Sequence, residues 1–557
     1  MGIPQGPTLP ELPPDSSAGT LKVTTQLTIE NVTVTDKAGK PVVGLKQSDF
    51  TAKEDGKPQT IKHFEEYGAA TPSQNSAHVP ALPPRVYTNA QSPGLQSGAV
   101  NILLFDDVTT GIGVQFRFSP QYLEYAKEQA VKYLKTMPEG TQVAILKTAN
   151  QLSVVQGLTS DRKVLLAAID SVKPEEVTGA SLQTPGRTPG LDPPIPLEKV
   201  CAVANTQSDL TMGALAGIAR LVSGIKGRKN LIWFTPGIPW LTNYGRYSGV
   251  PCLSDDSPQL RNVYGLLNAA QVAVYPIGSR GGEACAPIGT GAFADRSFIT
   301  CTPDDLMQNH GSLLDVADNT GGKAYYDRND LDAAIGEAID SGAHSYSLSY
   351  VPPSSKYGKY HKVEIAVERP GLHLQYREHY TTVDLSKPLV EKKDAKNAPS
   401  PDSDFHAAVD RSMIPSTGLL FYLRITPSPA AAKPGDPAVA GTLNPKLKGK
   451  PLLRYALTYE MPPGEVTLVD GPDGTRKGSL EFDAVAYGED GEKLNVVREV
   501  ETFPIKANEV EHFVKNPVVM PIQIDLPPGK VDLHVGVLDV SSQKMGTLEI
   551  TGTVNKQ

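Results

Sequence analysis

The chain has 557 residues, too many for a single hydrophobic core, and this length predicts about three domains. A hydrophobic content of 39% with 20% charged residues is that of a soluble globular protein, and a net charge of −8 argues against a nucleic-acid or anionic-membrane surface. No apolar run approaches the roughly 20 residues needed to cross a bilayer.

The first 19 residues form a Pro-rich tail without the basic and apolar regions of a signal peptide. Four cysteines, Cys201, Cys252, Cys285 and Cys301, fall in Gly/Pro/Ser-rich stretches and form no C-x-x-C pair. Such spacing points away from zinc ligation and towards disulfides, hence to a secreted or periplasmic mature chain; four free thiols are the alternative. From Leu21, apolar residues alternate with polar ones (Val23, Leu27, Ile29, Val32, Val34), and turns fall at Lys37-Ala38-Gly39 and Glu54-Asp55-Gly56. Residues 20–67 therefore predict short antiparallel strands, and 68–97 a Pro/Gln/Ser-rich connector.

The pattern changes over 98–343. Ile102 to Phe105 are continuously apolar, as in a strand buried on both faces. Ser119-Pro120 predicts a helix start, followed by Leu123, Ala126, Ala130, Leu134 and Met137 at helical spacing. Strands at Gln142 to Lys147 and Leu152 to Val155 come next, then a helix capped by Ser160 and another opened by Ser208. "NLIWF", "VAVYPI" and "KAYY" read as further strands, each followed by a helix. Alternation of this kind predicts a largely parallel, Rossmann-like sheet with helices on both faces. Strands return over 344–381, a polar linker spans 382–412, and 413–557 predict a C-terminal β-sandwich of immunoglobulin or fibronectin type. Segments 20–67 and 344–381 are each too short for a sandwich. They are expected to combine into one β domain with the α/β domain inserted between them. His361, His373 and His379 lie in strands and are read as solvent-facing or cross-strand residues rather than ligands.

"NVTVTDKAGKPVVGLKQSDFTAKEDGKPQTI", "FDDVTT", "GRKNLIWFTPG", "LNAAQVAVYPIGSRG", "LLDVADNTGGKAYYDRNDLDAAI" and "YHKVEIAVERPGLHLQYREHY" follow one another in an order similar to the von Willebrand factor A-related domain of secreted acidobacterial proteins. The resemblance implies strand order 3-2-1-4-5-6 and a cation, Mg²⁺ first, at the carboxyl edge of the sheet. In the family an Asp-x-Ser-x-Ser motif, a Thr and a further Asp hold it. Here the candidate ligands are Asp106, Asp107, Thr109, Thr110, Asp209 and Thr211, while Pro236 stands where the last Asp is expected. Such a site is degenerate; the alternative is that Asp106 and Thr109 only cap the loop backbone. The resemblance also puts the cysteines on that edge, with Cys201–Cys252 and Cys285–Cys301 the preferred pairing. Trp240, Tyr244, Arg246, Tyr247, Arg280, Phe293 and Arg296 would then supply interface anchors, or else pack among themselves.

No nucleophile elbow, Walker loop, H-E-x-x-H or complete dinucleotide fingerprint is present. A non-enzymatic binding or adhesion protein is expected, with a protein or surface-glycan ligand, one bearing an acidic group included. The alternative is an assembly subunit without metal that self-associates or contacts partners through its β domains.

Overall fold

The computed structural model describes residues 27–68, 82–91, 100–108, 120–175, 177–178, 197–225, 227–238, 257–279, 303–352, 356–382, 401–410, 416–428, 439–471 and 475–555. In chain order the first elements are β1 (Thr28–Thr35), β2 (Phe50–Glu54), β3 (Lys57–Gln59), β4 (His63–Gly68), β5 (Val86–Thr88) and β6 (Val100–Asp106). Then come α1 (Pro120–Thr136), β7 (Val143–Thr148), β8 (Leu152–Thr159), α2 (Arg162–Ser171), α3 (Leu197–Val222), β9 (Lys229–Thr235), α4 (Ser257–Ala269) and β10 (Val272–Gly278). They are followed by α5 (Pro303–Thr320), α6 (Leu331–Ala343), β11 (His344–Tyr350), β12 (Tyr360–Val367), β13 (His373–Gln375), β14 (His379–Thr381) and α7 (Pro401–Asp410). The C-terminal part holds β15 (Tyr422–Pro427), β16 (Thr442–Leu443), β17 (Leu453–Met461), β18 (Val469–Asp470), β19 (Arg476–Gly488), β20 (Lys493–Ile505), α8 (Val510–Lys515), β21 (Val518–Leu526), β22 (Gly529–Asp539) and β23 (Met545–Val554).

The central sheet runs β10-β9-β6-β7-β8, parallel except for β8. Numbered from β6, this is the expected order 3-2-1-4-5. The sixth strand, "KAYY", is reduced to one parallel bridge between Ile277 and Tyr325. Alternate β6 residues serve the two faces. Ile102 and Leu104 pack with α3, α4 and α5, and Leu103 and Phe105 with α1, α2 and α6. Continuous apolarity was the right signal, because a strand covered on both sides has no polar face to show.

Helix boundaries moved where a local polar group outranked the expected one. Asp161, not Ser160, caps α2, its carboxylate accepting from the backbone N–H groups of Lys163 and Val164. Helix α3 starts eleven residues before Ser208, because Val203, Ala204 and Gln207 already bury one face. Cys201 thus sits on a helix, not in a loop.

Strands from both flanks of the α/β part intermix. Strand β1 pairs with β11, which pairs with β4, and β12 pairs with β2. Val32, Val34, Phe50 and Ala52 from the first flank pack with Tyr346, Leu348, Val363 and Ile365 from the second. In the C-terminal part the sheets β21-β17-β15-β5 and β16-β20-β19-β22-β23 enclose an apolar cluster that includes Leu423, Tyr459, Phe482 and Val535.

Two segments expected as plain connections carry structure. The 68–97 connector contributes β5, which pairs with β15 of the C-terminal part. Within the 382–412 linker, α7 buries Phe405, Ala408 and Val409 in a cluster shared with Leu215 and Ile218 of α3 and with Val485 and Leu538 of the C-terminal sheet. Composition missed both, since a three-residue strand and one apolar helix face barely change the polar average of a 30-residue window.

Among the described residues no helix is long and apolar enough to cross a membrane, which says nothing of a β-barrel.

Candidate functional site

Strands β6, β7, β9 and β10 end together, so their last residues form the carboxyl edge, where open α/β sheets bind ligands. Asp106 closes β6 and lies opposite Thr148 at the end of β7. Both are buried. Asp106 Oδ1 accepts from the Val108 backbone N–H at 2.9 Å, the local cap foreseen as an alternative, and Oδ2 accepts from the Trp233 indole N–H at 3.1 Å.

Asp107 is buried too. Lys147 Nζ lies 3.0 Å from its Oδ2, which also accepts the Glu175 backbone N–H at 2.9 Å. Burial pushes the Asp107 carboxyl up, while Lys147 and the Glu175 N–H pull it back. The Lys147 side chain is only 12% exposed, and Glu175 and the Lys173 carbonyl hold it further.

Helix α3 reaches this edge through Leu210, which packs with Val108, Ala149 and Val177. Thr211 on the same turn is buried and donates to the Gln207 carbonyl at 2.8 Å; Asp209 is half-buried beside it. Ser208 Oγ and Thr148 Oγ1 are buried and make no hydrogen bond among the described residues. At the end of β9, Thr235 Oγ1 donates to the Gly237 carbonyl, and the Pro236 carbonyl accepts from Asn309.

A divalent cation needs several oxygens converging with net negative charge. At this edge both Asp106 oxygens face N–H donors, Pro236 supplies no carboxylate, and Asp107 is already neutralised by a confined ammonium. The described residues of the edge therefore do not fit a divalent cation; Lys147 stands where positive charge is needed. Thr109 and Thr110 lie outside the described residues, as do Trp240, Tyr244, Arg246, Tyr247, Arg280, Phe293 and Arg296. So do Cys252, Cys285 and Cys301. Cys201 is disulfide-bonded, and its partner lies outside the described residues as well.

Lys147, Trp233, Thr148 and Ser208 were missed in the sequence. Lys147 was visible only as the polar end of an apolar strand, and nothing local ties it to a residue forty positions earlier. His361, read as solvent-facing or cross-strand, is cross-strand and fully buried, opposite Tyr380, with Nδ1 3.0 Å from Glu54 Oε1 and 3.1 Å from Asp55 Oδ2. It shares the inward face of β12 with Val363 and Ile365, and that alternation was the available signal.

No family model matches the chain and no curated protein does. Solved structures that align with it include von Willebrand factor A domain proteins, all at low identity. An aerotolerance-related membrane protein from Bacteroides fragilis aligns at 15% identity over 44% of this chain and 99% of that one, with a TM-score of 0.24. Proximal thread matrix protein 1 from the mussel byssus, with a zinc-occupied MIDAS motif, aligns at 17% identity over 45% and 47%, TM-score 0.24. A von Willebrand factor type A protein from Catenulispora acidiphila aligns at 11% identity over 66% and 83%, TM-score 0.25. Scores this low carry no inference of activity or ligand.

Proposed function

We propose that this chain is a secreted or periplasmic, non-enzymatic binding protein that recognises a protein or surface-glycan ligand at the carboxyl edge of its α/β domain without a divalent cation. The observation that carries this reading is the pair of buried Asp107 with half-buried Lys147 at the end of β6 and β7. It supplies fixed charge where the resemblance leads one to expect a metal. Segments 239–256 and 280–302, which bear Trp240, Arg246, Arg280 and Arg296, leave the same edge by chain connectivity. Aromatic and Arg side chains are the residue types that dominate binding interfaces. In this reading the α/β domain is inserted in a split β-sandwich (20–67 with 344–381), and the C-terminal β-sandwich acts as support.

The test is a surface-ligand panel of glycans and extracellular proteins, run in EDTA and in Mg²⁺ on wild type, Trp240→Ala and Arg246→Ala. Binding is expected to persist in EDTA and to fall at least tenfold in one of the two variants, about 1.4 kcal/mol. Binding abolished by EDTA, or untouched by both variants, would sink the reading.

One observation favours the assembly alternative. Strand β23 ends its sheet; Ser416–Leu419 cover its first residues through the Thr417–Gly546 bridge, and Leu548–Val554 leave an edge unpaired among the described residues, which can accept another chain. Sedimentation showing a concentration-dependent oligomer that Ile550→Pro dissolves would select it.

A further inference from the structure

The β unit made from the two flanks holds a polar cluster at one end of its core. Glu54 closes β2 and points inward with Phe50 and Ala52; His361 points inward from β12 with Val363 and Ile365. The register Glu54↔Val363 makes Glu54 and His361 diagonal neighbours on one face. The chain then turns through Asp55 (φ 49°) and Gly56 (φ 75°), a left-handed pair that reverses β2 into β3. That turn sets the Asp55 carboxylate beside the same imidazole.

Three ligand atoms converge: Glu54 Oε1, Asp55 Oδ2 and His361 Nδ1, all within 4.8 Å of one another. The scaffold holds the opposite oxygen of each carboxylate. Tyr380 donates its hydroxyl to Glu54 Oε2 at 3.0 Å, and the Lys362 backbone N–H donates to Asp55 Oδ1 at 3.1 Å. Orienting partners of this kind are what metal ligands require.

The cluster is not satisfied by protons. An imidazole Nδ1 carries at most one hydrogen, and the bond it makes goes to Asp55 Oδ2. Glu54 Oε1, wholly buried and 3.0 Å from the same nitrogen, accepts no well-formed hydrogen bond among the described residues, with the Tyr350 hydroxyl lying near the same carboxylate. One Nδ1 proton lying between two carboxylates leaves the buried Glu54 oxygen incompletely satisfied, and a cation at this point would complete it. The surroundings add negative charge. Glu30, also buried and committed to Arg377, lies close to Glu54.

We propose that Glu54, Asp55 and His361 form a binding site for a first-row divalent transition ion of the Zn²⁺ type. Two carboxylates neutralise the ion, and the imidazole favours such an ion over Mg²⁺ or Ca²⁺. Ligands about 2.0–2.2 Å from a tetrahedral ion lie roughly 3.3–3.6 Å apart, so the observed 3.0 and 3.1 Å separations need an outward movement of a few tenths of an ångström. Asp55, whose side chain is 32% exposed, opens the fourth position to solvent. Lys359 Nζ now sits 3.1 Å from Asp55 Oδ2, but that side chain is 45% exposed and free to swing away, unlike Lys147. The ion would tie β2, before the α/β part, to β12, after it.

The test uses the full chain without a histidine tag, stripped with chelator and titrated calorimetrically with Zn²⁺, with Co²⁺ as a visible-absorption probe. Expected are one ion per chain, a raised melting temperature, and Co²⁺ bands of a low-coordinate site. Asp55→Asn should weaken Zn²⁺ binding at least about tenfold, His361→Gln should abolish it, and Lys359→Ala should strengthen it. Asp106→Asn should leave it unchanged. Should His361→Gln fail to fold, Asp55→Asn at the exposed rim decides. No Zn²⁺ binding by wild type, or binding that survives Asp55→Asn undiminished, overturns the proposal.

Discussion

Lys147 and Asp107 show how one side chain alters what a strand end can do. Removing one partner of a buried pair leaves an uncompensated charge, a loss of about 3–5 kcal/mol. Lys147→Met is therefore expected to lower stability by about that amount in urea unfolding. Because burial already raises the Asp107 pKa, the carboxyl takes up a proton as pH falls, so the loss should shrink towards acid. A loss independent of pH would show that the pair is not the cause. Lys229 offers a second titration. It is 1% exposed, with Nζ on the Ile225 carbonyl, and burial pulls its pKa down to about 7. The unfolded chain then holds the extra proton between about pH 7 and the ordinary lysine value of 10.5, so stability should rise with pH across that window. Lys229→Met should flatten the rise, as followed by melting temperature from pH 7 to 10.

At the scale of elements, α7 is the piece most at odds with its sequence. Phe405 is fully buried, and Phe405→Ala should cost about 3–5 kcal/mol. The helix is also clamped by His406, whose Nδ1 lies 2.7 Å from Asp483 Oδ2 and Nε2 3.2 Å from Glu481 Oε1. The hydrogen bond to Asp483, then that to Glu481, raises the His406 pKa to about 9. Its contribution is fully present below the unfolded value of 6.5 and is lost as pH rises through about 9. Hydrogen exchange in α7 should accelerate over that range in wild type and be pH-independent, after correction for intrinsic rates, in His406→Gln. Long elements were legible: β6, β9 and β10 announce themselves by unbroken apolarity, and α1 by its 3.6-residue period. Short ones were not, because β5 exists only through its pairing with β15.

Across the whole molecule, the apolar cluster under α3 runs through α7 into β19, β22 and β23. The α/β part and the C-terminal part therefore share a core, and calorimetry should show them melting in one transition. Phe405→Ala/Val409→Ala should split that transition in two; two transitions in wild type would show that the shared cluster does not couple them.

What the sequence by itself determined is the alternation of strands and helices over 98–343, the β character of the flanks, and Asp106 and Asp107 at a strand end. All of these are local patterns of burial and turn chemistry. Tertiary structure alone decided that Lys147 meets Asp107, that Trp233 meets Asp106, and that Glu54 and Asp55 meet His361 some 300 residues later. Those pairs depend on register and on strand ends brought together across the sheet, and no local pattern records the charge that a distant strand will place beside a buried carboxylate.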